Sequence, residues 1–277
     1  MDINPNLEKT RVLFISQEIS PYLEQSILGT VCRYLPQGIQ ERNKEIRTFM
    51  PKFGVINERR NQLHEVIRLS GMNLIINDVD HPVIIKVASL SQVRMQIYFI
   101  DNEEYFHRKA TLTDNGKMFP DNDERSIFFS RGVLETVKKL GWSPNLLNCH
   151  GWMAALTPLY INELYRDNPL FTDVKIVTTL YNDDFKGRFR DSIYDILKFD
   201  GIDAKEQKIL KTANYINLMK CAIDNSDAIV FAEKDVNPKL VEYVKEKKLP
   251  YITYNKYDID YLTDISDQFF DEILNNN

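Results

Sequence analysis

The segment RVLFIS, residues 11–16, decides the fold class. Its apolar run is typical of a strand that is buried on both faces. An amphipathic stretch at about residues 25–42 follows and predicts a helix, and EIRTFMP at residues 45–51 predicts a second strand. A strand, a helix and another strand in this order indicate a parallel sheet that is covered by helices.

The same alternation continues along the chain with one interruption. Between Glu65 and Asp101, four short β-rich pieces predict a β-rich insertion attached to the main sheet. After it we predict helices at 124–140, 152–165, 215–225, 234–247 and 259–274, and strands at 146–149, 174–180, 228–232 and 251–254. We therefore expect one α/β domain over residues 1–277, with a Rossmann-like, doubly wound and mostly parallel sheet.

Charge and composition exclude several classes of partner. The 35 basic and 40 acidic side chains give a net charge of −5, and no basic tract suits a nucleic acid backbone. No apolar run has the length of a membrane span, and the polar N-terminus lacks the apolar core of a signal peptide. Cys32, Cys149 and Cys221 are too scattered for a disulfide framework or a zinc site. We therefore expect a cytoplasmic protein without nucleic acid, membrane, metal or cofactor.

The loops after the strands are the candidate site, because ligands of doubly wound sheets bind outside the carboxyl ends of the strands. His150 and Trp152 follow one predicted strand, and Tyr181 and Asn182 follow the next. His150 is either a binding or acid–base group or a half-buried histidine packed beside Trp152. Asn182 and the aspartates after it are either ligand contacts or simply turn formers.

Two motifs that bind phosphates elsewhere are weak in this chain. Gly29 is the only glycine in the first strand-to-helix segment, whereas a phosphate cradle needs several. Asp-x-Asp triplets at 78–80, 121–123 and 258–260 can in principle hold a metal and a nucleotide diphosphate. In an acidic chain, solvated turns and a helix start explain them better. We therefore expect no dinucleotide site and no P-loop.

Five motifs occur in an order and at a spacing that identify a family. They are SQEISPY (16–22), MPKFG (50–54), DNDERSIFFSR (121–131), GWSPNLLNCHGW (141–152) and INLMK (216–220). Together they resemble the bacterial glycogen and starch synthases, which are two-domain retaining glucosyltransferases of the GT-B fold that extend an α-1,4-glucan from ADP-glucose. The resemblance runs from about Arg11 to Ala232 and implies the N-terminal half of that fold. Since the chain ends near the point where the second domain would begin, we expect that domain to be absent.

Four positions depart from the family's pattern. Glu24 aligns with the lysine of the family's K-T-G-G-L loop, Thr30 and Gly151 align with two aspartates, and Tyr181 aligns with a histidine. A charge pair at about 4 Å is worth roughly 4 kcal/mol at an effective dielectric near 20, so Glu24 would repel the diphosphate that a lysine attracts. We therefore name no catalytic residue. The binding residues that we expect are His150, Trp152, Asn182, Asn217, Lys220 and Glu18, which the resemblance implies, and Tyr181, whose aromatic ring follows a strand.

Three functions are compatible with these residues. The first is a non-catalytic relative, or pseudoenzyme, whose cleft binds an α-glucan, a maltooligosaccharide or a protein partner that completes the cleft. The second is an active glucosyltransferase that another chain completes, and the third is an enzyme of different chemistry around His150 and Tyr181. We favour the first, with Trp152 and Tyr181 stacking on a sugar; the alternative is that Trp152 belongs to the core and Tyr181 only fills space.

Overall fold

A sheet of ten strands forms the centre of the computed structural model, which describes residues 9–90, 93–203 and 208–276. Most of the polar N-terminal segment, residues 1–8, lies outside the described residues. The strands of the described chain are β1 (Arg11–Ser16), β2 (Glu45–Pro51), β3 (His64–Glu65), β4 (Met72–Ile76), β5 (Val79–Leu90), β6 (Met95–Asp101), β7 (Thr113–Asp114), β8 (Lys117–Met118), β9 (Leu146–His150), β10 (Lys175–Leu180), β11 (Ala228–Phe231) and β12 (Tyr251–Thr253).

The strand order is β12-β11-β10-β9-β1-β2-β6-β5-β3, with β4 paired to β5 and with β7–β8 forming a separate hairpin. All pairs from β12 to β6 are parallel, and the pairs made by β5 with β6, β3 and β4 are antiparallel. The predicted α/β class with a mostly parallel sheet is therefore confirmed. The carboxyl ends of the seven parallel strands lie at one edge of the sheet. The candidate residues that come directly after these strands lie at the same edge.

Helices cover both faces of this sheet. They are α1 (Ile27–Glu41), α2 (Glu103–Phe106), α3 (Asn122–Leu140), α4 (Thr157–Tyr160), α5 (Ile193–Phe199), α6 (Tyr215–Asp224), α7 (Pro238–Lys247) and α8 (Ile259–Asn275). Phe14 on β1 packs against Phe270 on α8, with ring centroids 6.5 Å apart, whereas Ile100 on β6 packs against Gly132 on α3. The strand registers place Phe14 and Ile97 on the same face of the sheet. Ile100 comes three residues after Ile97 and therefore points to the other face, so α8 and α3 lie on opposite faces.

Local signals explain where several helices begin. The Ser26 hydroxyl accepts a hydrogen bond from the Gly29 N–H at 2.8 Å and caps α1. Asp258 caps α8 by accepting from the Tyr261 N–H at 2.9 Å, so the third Asp-x-Asp triplet is a helix start. Asp78 lies in a turn with φ of 62°. These two triplets are therefore the turn and the helix start that the sequence indicates.

The structure also corrects some expected elements. In place of one helix over residues 152–165 it has a 3₁₀ turn (Trp152–Ala154), α4 and a π turn (Ile161–Tyr165). Pro158 lies in the first turn of α4, and because proline crowds the turn before it, a regular helix cannot run through from Trp152. The β-rich region differs as well, since β6 pairs in parallel with β2 and belongs to the main sheet. Helix α5 and the β7–β8 hairpin were not predicted.

Of the helices in the described ranges, none has both the length and the apolar character that crossing a bilayer requires.

Candidate functional site

His150 and Tyr181 lie side by side at the ends of β9 and β10, and both are fully buried. The His150 Nδ1 and the Tyr181 Oη are 2.8 Å apart and share a hydrogen bond. Burial lowers the pKa of His150 to about 3, so the imidazole is neutral at physiological pH. The structure thus brings these two predicted residues together, but in the interior, where neither can contact a ligand.

Trp152 belongs to an aromatic cluster that covers it. Its ring packs edge-on against Phe185 at 4.9 Å and Phe189 at 5.7 Å, and these two rings stack on each other. The exposed fraction of Trp152 is only 2%. The expectation that Trp152 and Tyr181 offer open faces to a sugar is corrected accordingly, because Phe185 and Phe189 cover Trp152 and Tyr181 is itself fully buried.

Three of the four remaining candidates, Asn182, Asn217 and Lys220, have separate hydrogen-bond or ring contacts outside this aromatic cluster. Asn182 is exposed, and its backbone N–H donates to the Glu233 carboxylate at 3.0 Å. The Asn217 amide donates to the Thr212 carbonyl at 2.8 Å, which closes the turn before α6. The Lys220 ammonium lies 4.3 Å from the Tyr243 ring on α7. These side chains do not converge with His150 on one cleft.

Gly151 lies at the junction of β9 with the following turn, where the family has an aspartate. Its φ is 80° and its ψ is 161°, a combination that is essentially restricted to glycine. A Cβ atom there would lie 2.8 Å from the Gln17 Cβ and 2.9 Å from the Leu28 Cδ1. Gln17 and Leu28 therefore occupy the space that an aspartate side chain would need.

Asp183 is a half-buried carboxylate that the sequence left open as either a ligand contact or a turn former. It accepts from the Tyr215 hydroxyl at 2.6 Å and from the Trp152 N–H at 3.3 Å. Burial raises its pKa to about 6, and these hydrogen bonds oppose that rise. Asp183 therefore connects the loops after β9 and β10 to the start of α6. In the sequence, its position beside Asn182 was the only indication that it lies near the candidate site.

An open pocket of about 740 Å³ lies at the ends of β1 and β2, on the same edge of the sheet. It is larger than the depression of about 510 Å³ between Glu45 and Tyr98 near the opposite edge. Of the predicted residues, it contains Glu18 and the replaced position Glu24. Its lining residues are Glu18, Pro21, Tyr22, Leu23, Glu24, Gln25, Ser26, Val55, Ala110, Thr111 and Thr113.

The pocket's acidic wall lies at the start of α1. The Ser26 hydroxyl donates to the Glu18 Oε1 at 2.6 Å, so the Glu18 carboxylate lies beside the capping residue of the helix. Burial raises the pKa of Glu18, and the bond from Ser26 opposes that rise. Glu24 is exposed on the rim, and Thr30 lies one turn into the helix, where its hydroxyl donates to the Ser26 carbonyl at 2.7 Å.

The pocket's other wall could not be recognised in the sequence. Ala110 and Thr111 lie between α2 and β7, in a stretch without periodicity. Thr113 is the first residue of β7, and Val55 follows β2 in a loop. No motif marks these residues as site residues. They reach the pocket because the carboxyl end of β2 lies beside that of β1, and the carboxyl end of β6 lies beside that of β2.

One cluster of the described residues has the composition of a metal site. Ligand atoms of Glu58, Asp101 and His107 lie within 4.8 Å of one another. The Lys86 ammonium, however, is 2.7 Å from the Glu58 carboxylate and 2.9 Å from that of Asp101. A positive charge thus already lies between the two carboxylates, where a divalent cation would have to compete with it. The cluster is an ion-pair network at the ends of β2 and β6.

Comparisons with family models and with curated proteins identify the same family. The model of the starch synthase catalytic domain matches residues 11–244. The glycogen synthase of Chlorobium luteolum is 34% identical over 228 residues, which are 81% of this chain and 46% of that protein. That of Chlorobium phaeobacteroides is 40% identical over 174 residues, which are 62% and 36% of the two chains. The chain thus spans about half the length, or less, of the curated relatives it matches.

A solved structure shares the fold. The catalytic domain of Starch Synthase IV from Arabidopsis thaliana, bound to ADP and acarbose, superposes with a TM-score of 0.72 at 17% identity. The similarity covers 89% of this chain and 51% of the plant chain. At this identity the similarity establishes a common architecture and nothing about ligands.

Proposed function

The chain belongs to the starch synthase catalytic domain family, and from that premise we propose that it binds a neutral α-glucan and does not itself transfer glucose. One observation carries the proposal: the carboxylates of Glu18 and Glu24 line the pocket at the start of α1. The N–H groups of a helix start favour anions, and Glu18 already places a carboxylate beside the cap there. A second anion, such as a nucleotide diphosphate, is therefore disfavoured.

The other lining groups suit a hydroxyl-rich ligand. Ser26, Gln25 and Thr111 offer hydrogen-bond donors and acceptors, whereas Leu23 and Val55 offer apolar surface. Sugar units have polar rims and apolar faces and carry no charge, so the two carboxylates accept hydrogen bonds from them without repulsion. We favour a glucan over a protein partner as the ligand of this pocket, because the pocket is concave.

The absence of glucose transfer is inferred from the strand-end residues. His150 and Tyr181 bond to each other in the interior, and the space beside Gly151 is filled by Leu28. A group that stabilises charge on a reacting sugar must touch it. The burial of His150 and Tyr181 also counts against an enzyme of different chemistry built around these two side chains.

Ligand titration of the 277-residue chain tests the binding proposal. We expect maltoheptaose to bind and ADP not to bind in isothermal titration calorimetry. At about 4 Å a charge pair in water is worth roughly 1 kcal/mol, so reversing the exposed charge with Glu24→Lys should strengthen ADP binding by about 2 kcal/mol, or roughly thirtyfold. The control is Glu41→Lys, which makes the same charge change at the far end of α1 and should leave ADP binding unchanged.

Two results would contradict the proposal. Tight ADP binding by the unmodified chain that Glu24→Lys does not alter would show that the pocket has been misassigned. Robust incorporation of labelled glucose from ADP-glucose or UDP-glucose into glycogen, by the purified chain alone, would show that transfer does not need polar groups at positions 151 and 181.

A further inference from the structure

Arg125 is a fully buried cation whose hydrogen-bond acceptors are all uncharged. Its Nε donates to the Tyr105 carbonyl at 2.7 Å, and its Nη2 donates to the Thr111 carbonyl at 2.7 Å. Its Nη1 donates to the Asn122 side-chain oxygen at 2.5 Å. Within the described ranges, no carboxylate is bonded to this guanidinium. Two backbone carbonyls six residues apart are therefore held by one planar group.

Aromatic rings enclose the rest of the guanidinium. Its Cζ atom lies 5.7 Å from the ring of Phe53, 5.3 Å from that of Phe106 and 5.2 Å from that of Phe119. Such rings stabilise a cation electrostatically, but they do not replace hydrogen bonds. A buried charge that loses an acceptor is costly, so residues 105–111 cannot move away without leaving N–H groups unsatisfied.

The segment that Arg125 holds is the second wall of the pocket. Thr111, whose carbonyl accepts from Arg125, lines the pocket together with Ala110 and Thr113. A further ion pair supports the same segment, since Arg108 bonds both carboxylate oxygens of Asp121 just before α3. The position of this wall relative to Glu18 and Glu24 therefore depends on contacts made from the start of α3.

We propose that Arg125 is a positioning residue for the pocket, whose fork-shaped side chain fixes residues 105–113 at the distance from the α1 wall that a glucan requires. The part of the proposal that concerns the ligand rests on the proposed function, whereas the part that concerns the wall does not. A lysine could not substitute, because its single ammonium cannot bond two carbonyls in the plane of a fork.

Arg125→Lys in the full chain tests the proposal, with Arg131→Lys as the matched control. Arg131 lies on the same helix but bonds the Ile75 carbonyl and Asp200, away from the pocket. We expect Arg125→Lys to speed amide hydrogen exchange selectively in residues 105–113 and to weaken maltoheptaose binding about tenfold or more. Arg131→Lys should lower the melting temperature without either effect.

The outcomes separate the two proposals. If the wild-type chain binds no maltooligosaccharide, the proposed function fails, and the exchange rates of residues 105–113 still decide whether Arg125 positions them. If Arg125→Lys lowers the melting temperature but keeps wild-type exchange in 105–113 and wild-type affinity, Arg125 is only structural and the inference is overturned. Should this variant not fold, Arg125→Gln makes the same test, because it removes the fork without leaving a buried charge.

Discussion

Restoring the family's aspartate at position 151 should destabilise this protein rather than restore a site. The conformation of Gly151 costs a residue with a Cβ about 2 kcal/mol in strain. Crowding against Gln17 at 2.8 Å and Leu28 at 2.9 Å adds about 2 kcal/mol. We therefore expect Gly151→Ala to lose about 4 kcal/mol. Gly151→Asp should lose more, because it also buries a carboxylate near the Gln17 side-chain oxygen, which lies 3.0 Å from the added Cβ.

Thermal unfolding measures this loss. For a chain of this size, about 4 kcal/mol corresponds to a fall in melting temperature of roughly 8–16 °C. Gly141→Ala is the control, because Gly141 also has a positive φ, of 59°, but no atom lies within 4 Å of the added Cβ. We expect it to lose only about 1 kcal/mol, so the remaining difference of about 3 kcal/mol reports the crowding at position 151 together with its less favourable backbone conformation.

A double mutant identifies the residue that fills the space. Combining Gly151→Ala with Leu28→Ala should cost less than the sum of the two single changes, by about 1 kcal/mol, because the shortened side chain relieves one contact. The reasoning would be refuted if Gly151→Asp melted within a few degrees of the wild type. Strict additivity of the two changes would show that Leu28 is not the obstacle.

Two further predictions concern the polar groups of Asp183 and Tyr181. The folded-state pKa of Asp183, about 6, is above its unfolded value, so its stabilising contribution is complete below pH 4 and is lost as pH rises through 6. Urea unfolding between pH 4 and 7 should therefore show that the free energy of unfolding of Asp183→Asn rises relative to that of the wild type, by up to about 3 kcal/mol. A difference that does not change with pH would contradict the burial of a charge. Tyr181→Phe should cost about 1–2 kcal/mol because it removes the partner of His150, and it should leave maltoheptaose affinity unchanged; a weakened affinity would place Tyr181 in the site after all.

The sequence predicts the sheet well because the signals for its strands are local. The apolar runs at Arg11–Ser16 and Glu45–Pro51 coincide with β1 and β2. The order of five motifs identified the family, and that identification is confirmed by the match over residues 11–244. Both the apolar runs and the motifs consist of contiguous residues, so they can be recognised without knowledge of tertiary contacts.

The exposure of the site residues could not be predicted in the same way. A residue at a strand end is exposed or buried depending on how loops from elsewhere in the chain pack against it. Trp152 is covered by Phe185 and Phe189, more than thirty residues later in the sequence. Likewise, Thr111 lines the pocket, and its carbonyl accepts a hydrogen bond from Arg125, which lies fourteen residues later in the chain. Periodicity reports which face of an element is apolar and carries no information about such loops.

The packing of α8 on α1 has a consequence for how the chain folds. Arg42, at the end of α1, pairs with Asp264, and the Lys44 ammonium lies 2.6 Å from the Asp267 carboxylate, so these contacts join residues 222 and 223 positions apart. Contacts of such long range form late, since the entropy of closing so large a loop must be overcome first. During synthesis on the ribosome, the face of α1 at Gly38 therefore stays uncovered until Thr263 of α8, more than two hundred positions later, has been made. Apolar surface that is exposed during such an interval is prone to aggregation.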